Sequence, residues 1–213
     1  IDTGRFAPDR GVQRLLFGSA LVDLVPFGGV AGADGQIAWP SDPDTRLNVL
    51  GFEEAYRTAD ALQVGSDPVV TLRVVSHTGL VILKFLAWAD RRGFATKDAY
   101  DLRLLIKGYL GSGNEDRLFS EHPDIVNVPD FDYELAGARL LGRDVVQQAS
   151  PAALGVVREV LDRDLQDSVL AEPHLEGFPG VLQGLLLGRA CRIDDRDDLG
   201  GFPDQLVLRP APG

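Results

Sequence analysis

Residues 74–110 read VVSHTGLVILKFLAWADRRGFATKDAYDLRLLIKGYL, a stretch in which apolar residues recur every third or fourth position. That spacing predicts two helices joined at Gly93. Ser76 is placed to cap the first, and Leu80, Leu83, Leu86 and Ala87 supply its apolar positions. Thr96 is placed to cap the second, with Asp98 in the first turn, where a negative charge meets the positive end of the helix. Tyr100 and Leu104 form one spaced pair, and Leu102, Leu105, Ile106 and Tyr109 form the apolar stripe. Lys97 and Asp101 lie one turn apart and can meet.

Lys84, Trp88 and Arg91 follow one another at steps of four and three, so they share one side of the first helix. A lysine among aliphatic neighbours has two readings. Its methylenes can cover the core while the ammonium reaches water, or the ammonium can hold phosphate at the edge of a cleft. The arginine pair before Gly93 and the Lys97-Asp98 pair after it read by themselves as solvated residues.

Upstream, GVQRLLFGSALVDLVPF (residues 11–27) reads as two strands around a tight turn at Gly18-Ser19. Period-two alternation puts Val22 and Leu24 on one side, and Leu21, Asp23 and Val25 on the other. Asp23 is either an edge-strand carboxylate facing water or a carboxylate aimed into a cleft, where its oxygens suit a hard divalent cation. Residues 28–43 read as a Gly- and Asp-rich loop with a short strand at Gln36–Trp39. Asn48–Gly51 reads as another short strand, Phe52–Ala61 as a helix with Glu53 and Glu54 in its first turn, and Val69–Val75 as a strand.

Downstream of Leu110 the pattern is helical. A break at Gly111–Asn114 precedes a helical turn at Glu115–Leu118. Asp132–Leu141 and Arg143–Ala149 read as one interrupted helix or two short ones. Ser150-Pro151 is a helix start, a cap followed by proline at the first helical position, and that helix extends to about Leu165. A last apolar helix is expected at Gly180–Cys191, then a loose acidic and Pro/Gly-rich tail. The expected class is therefore α+β: a mixed-sheet core over 1–75, a mainly helical region over 76–192, and a tail over 193–213.

The composition bounds the function. With 213 residues, 45% of them hydrophobic, the chain can bury a sizeable core. Thirty-two acidic against 21 basic side chains give a net charge of -11, which disfavours broad nucleic-acid binding but leaves room for a small basic pocket. The single cysteine, Cys191, cannot form an internal disulfide and points to a reducing, cytoplasmic setting. No apolar run is long enough to span a membrane, and no signal segment is read. The chain begins at Ile1 and contains no methionine, which leaves room for an upstream segment.

Most catalytic signatures are missing. Gly28-Gly29 and Gly32 do not make a phosphate-binding loop or a dinucleotide fingerprint. His77, His122 and His174 lack metalloprotease spacing, and Ser19 sits in no nucleophile elbow. The run Asp194, Asp195, Asp197 and Asp198 lacks the glycine and glutamate of a calcium loop.

Taken in order, the VDLVPFGG strand, NVLGFEEA, the S-x-x-x-L-x-x-x-K helix and the following RR-x-x-x-x-KDAYDL element resemble the AbiEii-like group. These are nucleotidyltransferases of the DNA polymerase beta-type superfamily, many of them toxins of toxin–antitoxin pairs in bacteria. The resemblance covers about residues 10–110. It implies a nucleotidyltransferase-like sheet and transfer of a nucleoside monophosphate from an NTP to a hydroxyl of RNA or protein, with magnesium as cofactor and an antitoxin as a further partner. It implies that Asp23 is the third metal-binding carboxylate and that Lys84 contacts the nucleotide phosphates. Arg91, Arg92, Lys97 and Asp98 are the surrounding cofactor-binding positions, with Asp98 orienting a basic partner, Arg92 by sequence distance; Asp101 completes the KD-x-x-D element.

One element of that pattern is not found. The superfamily opens with a Gly-Gly or Gly-Ser turn followed by two carboxylates flanking one residue, and no Asp-x-Asp pair precedes Asp23. Two cations cannot be held by one carboxylate. The enzyme reading therefore needs such a pair upstream; without it, the chain is a non-catalytic relative that binds a nucleotide or a protein.

Overall fold

A computed structural model of the chain describes residues 6–8, 14–39, 42–93 and 96–166. The fold is α+β: small antiparallel sheets are followed by a helical C-terminal region. The helix expected at Gly180–Cys191 and the tail lie outside the described residues.

Strands β1 (Phe6–Pro8), β2 (Arg14–Phe17) and β3 (Ala20–Asp23) form one sheet in that order, with Gly18-Ser19 at the β2–β3 turn as expected. Gly18 has φ +60, a region an L-residue rarely occupies. β4 (Gln36–Trp39) pairs with β5 (Asp42–Asn48), and β6 (Asp60–Ser66) pairs with β7 (Val69–Val74).

The single mixed sheet expected for residues 1–75 is thus replaced by three separate antiparallel ones. Short reversals close each pair locally and leave no parallel crossover among these strands. Asn48–Gly51 is not a strand of its own. β5 ends at Asn48, and Gly51, at φ +85, turns the chain into α1 (Phe52–Arg57). That helix stops at Arg57 rather than Ala61, and the residues after Ala59 become β6, which the sequence reading missed. β3 likewise ends at Asp23, short of Val25.

The helices carry the core. α2 (His77–Arg91) is capped by Ser76, whose Oγ accepts from the Gly79 N–H at 3.1 Å. It buries Val81, Ile82, Phe85, Leu86 and Trp88. Full burial of each such side chain contributes about 1.5–3 kcal/mol. α3 (Lys97–Lys107) buries Ala99, Leu102 and Ile106 on the face spaced by three and four. Thr96 precedes it but makes no side-chain cap, because its backbone is already helical (φ -89, ψ -5).

After a 3-10 turn at Leu110–Ser112 come α4 (Glu115–Glu121) and α5 (Pro123–Val126). α6 (Tyr133–Gln148) is one uninterrupted helix, capped by Asp132 and buried through Ala138, Leu140, Leu141 and Val145. Gly142 does not break it, since burial compensates the propensity cost of glycine. α7 (Pro151–Gln166) begins at the Ser150-Pro151 signal, with Ser150 Oγ accepting from the Ala153 N–H at 3.3 Å. The buried Glu54 of α1 accepts from the Ser150 N–H at 3.2 Å and so ties the start of α7 to the sheet region. α2 touches α1, α3, α6 and α7 and is the central element of the core.

Candidate functional site

The site assembles where α2 leaves the core. Half-buried Leu83 and Ala87 and the edge of buried Leu86 line it from α2, with Lys84, Asp90 and Arg91 beside them. Facing them across a cleft of about 610 Å3 are Gln36 of β4, Arg46, Leu47 and Asn48 of β5, and Leu50 and Phe52 beyond the turn. The floor is apolar and the rim polar, the mixture expected of a small-molecule pocket. Asn48 fastens one end: its Nδ2 donates to both Asp90 oxygens at 3.3 and 3.0 Å, and its Oδ1 accepts from the Leu50 N–H.

The charged group behind this cleft is tightly arranged. Asp98, only 2% exposed, accepts from Lys84 Nζ at 3.0 Å on one oxygen. Its other oxygen accepts from Arg91 Nη2 at 2.8 Å and Nε at 3.2 Å. Lys84 also donates to Asp101 Oδ2 at 2.6 Å. The Lys84 side chain is 22% exposed. Burial disfavours its charge, but the hydrogen bonds it donates to Asp101 and Asp98 outweigh this and raise its pKa. The ammonium does not simply reach into water as a snorkelling lysine does; two carboxylates hold it at the wall of the cleft. Asp101 turns to Lys84, a pairing across two helices that sequence spacing could not supply. Asp98 accepts from the Arg91 guanidinium, whereas sequence distance pointed to Arg92 as its basic partner.

Lys84, Arg91, Asp98 and Asp101 are therefore brought together. Arg92 lies at the C-terminal end of α2, and Lys97, exposed, opens α3. Asp23 is elsewhere. It closes β3 at the edge of its sheet, opposite Arg14, and both its oxygens accept from that guanidinium at 2.8 and 3.0 Å. Its side chain is 44% exposed, and the hydrogen bond from Arg14 lowers its pKa. Asp23 does not line the cleft against α2.

No group of three His, Cys, Asp or Glu side chains is placed to hold a metal ion among the described residues. A magnesium ion at Asp23 would have to displace Arg14 and find its other ligands elsewhere, so the described residues alone do not fit that cofactor.

A second polar network was not legible in the sequence. Tyr109 donates to Asp144, which also accepts from Arg117 Nη1 and Nη2 at 3.1 and 3.0 Å. Burial, with Asp144 beside it, pushes the Tyr109 hydroxyl up to about 12. His77 Nε2 donates to the Leu105 carbonyl at 2.8 Å, joining α2 to α3, and its ring meets Tyr109 edge-on at 5.2 Å. Asp144 on an otherwise apolar helix face was the available signal, since a buried carboxylate requires partners. This network lies in the helical core and binds elements together.

No helix among the described residues is long and apolar enough to cross a membrane. No family model, curated protein or solved structure matches the chain.

Proposed function

We propose that the chain is the nucleotide-holding part of a nucleotidyltransferase-like protein and that the cleft against α2 receives an NTP. The observation that carries this reading is the pairing of Lys84 and Arg91. Two helical turns apart on α2, both are held by the one buried carboxylate of Asp98 at the rim of a half-apolar cleft. Arg46 on the opposite wall adds a third cation, paired with Asp34 at 3.6 Å. In this reading the base lies on the apolar floor and the phosphates meet Lys84, Arg91 and Arg46. Arg92 and Lys97 extend the positive edge, and Asp98 positions the first two cations.

The reaction would join a hydroxyl oxygen of RNA or protein to the α-phosphorus and release pyrophosphate. Charge developing on the phosphates would be met by cations already fixed in place. Magnesium, and Asp23 as its ligand, belong to the resemblance; no step is assigned to them on these residues. A toxin role with an antitoxin partner is proposed on the same basis. Incubating the protein together with the upstream Asp-x-Asp segment that the enzyme reading needs, in magnesium with α-labelled NTPs and an RNA or protein acceptor, tests the reading. It predicts transferred label in the wild type and loss of label in Lys84→Met.

A second reading, a non-catalytic nucleotide- or protein-binding relative, is favoured by a specific feature. Lys84 and Arg91 are balanced charge for charge by Asp98 and Asp101, which weakens the pull on phosphate. Nucleotide binding without label transfer to any acceptor would select it.

A further inference from the structure

The β6–β7 hairpin is built for a cover that the described chain does not provide. Its sequence alternates strictly: Leu62-Gln63-Val64 on one strand and Val70-Thr71-Leu72-Arg73-Val74 on the other. The register puts Leu62 opposite Leu72 and Asp60 opposite Val74, with Ala61 opposite Arg73 and Gln63 opposite Thr71. Leu62, Val70, Leu72 and Val74 therefore share one face, and Ala61, Gln63, Thr71 and Arg73 share the other.

Alternation of this kind normally marks a sheet with its apolar face buried. Here the arrangement is reversed. The polar face is tethered to the body: Arg73 Nη2 donates to the Tyr56 carbonyl at 3.0 Å, and its guanidinium sits 4.8 Å over the Tyr56 ring. The four apolar residues of the opposite face are 41–51% exposed. A two-stranded sheet with both faces in water is marginal by itself, and clustered exposed aliphatic residues mark an interaction surface.

We propose that this face docks a protein segment that is aliphatic on one side and carries lysine or arginine at its margins. Charge selects that occupant. Asp60 stands at one end of the apolar face and Asp67 in the turn at the other, on a chain of net charge -11. A second copy would bring the same acids and the same net charge against them, and an anionic lipid surface would be repelled. A basic, aliphatic partner satisfies both features of the patch.

The test uses the full chain and a synthetic strand-forming peptide alternating valine with lysine, beside its valine–glutamate counterpart. Binding is followed by fluorescence anisotropy at physiological salt. Leu62→Asn/Leu72→Asn leaves the charge unchanged, and thermal unfolding checks that it folds. The proposal expects the lysine peptide to bind wild type, at least about tenfold weaker binding by the double variant, a loss of about 1.4 kcal/mol, and no binding of the glutamate peptide. Equal affinity for wild type and variant would show mere charge attraction and overturn it. Absence of lysine-peptide binding would also overturn it. So would concentration-dependent dimerisation abolished by the double variant, or binding to phosphatidylserine vesicles.

Discussion

Lys84 on α2 and Asp98 on α3 face each other at 3.0 Å across a helix–helix contact, and the carboxylate is almost wholly buried. Arg91 closes the other side of Asp98, and Asp101 closes the other side of Lys84. Removing one member leaves an uncompensated charge in a partly dry site.

Asp98→Ala should therefore destabilise the fold by about 1–3 kcal/mol, because two cations lose their common acceptor while Lys84 keeps Asp101. Lys97→Ala, one residue earlier but exposed, should stay within about 0.5 kcal/mol. Equilibrium denaturation of the two variants checks the contrast, and equal stabilities would remove the cluster from the fold's supports.

The helical half was largely readable. Ser76, Ser150-Pro151 and the three-and-four spacing after Leu80 are local signals, and local physics places those elements. The pairings were not local. Asp101 chose Lys84, 17 residues away, over Lys97 on its own helix, because folding buries Lys84 beside it. β6 was missed because the Phe52 helix start masked an alternation that begins only at Leu62. Gln36–Trp39 was found as a strand, but its partner β5 was hidden by Pro43 and the flanking Asp42 and Asp44, which read as loop. For the site, the cations and Asp98 were visible in residue order, whereas the opposing wall with Arg46 was not. Asp23 was singled out, but its partner Arg14 emerges only from the strand register.

Gly51 packs at the junction of β5, α1 and α2 with φ +85, and an added Cβ would sit 2.5 Å from Leu86 Cδ1. Gly51→Ala combines a left-handed backbone with a clash, so it should cost more than about 1 kcal/mol. Thermal unfolding is the check, and an unchanged midpoint would contradict this packing.

Tyr109 should keep its proton well past the usual tyrosine range, with a pKa of about 12. A phenol whose pKa is raised on folding adds stability below about pH 10, and that stability is lost as pH rises through about 12. Ultraviolet titration should show a tyrosine ionising near pH 12, absent in Tyr109→Phe. That variant should also lose about 1–3 kcal/mol, as Asp144 forfeits one of its donors.

His122 accepts from Arg143 Nη1 at 2.9 Å, so its neutral form is the one that fits. Burial first, then Arg143 and Arg117, lower its pKa, while Asp144 and Asp124 act weakly the other way. The unfolded chain then binds a proton more readily, so this contribution is intact above about pH 6.5 and declines as pH falls through the lower folded value. His122→Gln should flatten that part of the stability–pH curve. An unchanged slope would assign it to other groups.

The central claim, that the α2 cleft takes an NTP, is met most directly by titration calorimetry of the full chain with ATP, GTP, CTP and UTP in magnesium. Lys84→Met and Arg46→Gln are measured beside the wild type, the second being an exposed residue on the far wall that leaves the Asp98 cluster untouched. The account predicts that at least one nucleotide binds and that each substitution weakens it about tenfold or more, a loss of about 1.4 kcal/mol. Binding unchanged in both folded variants, or binding of none of the four nucleotides by the wild type, would contradict it.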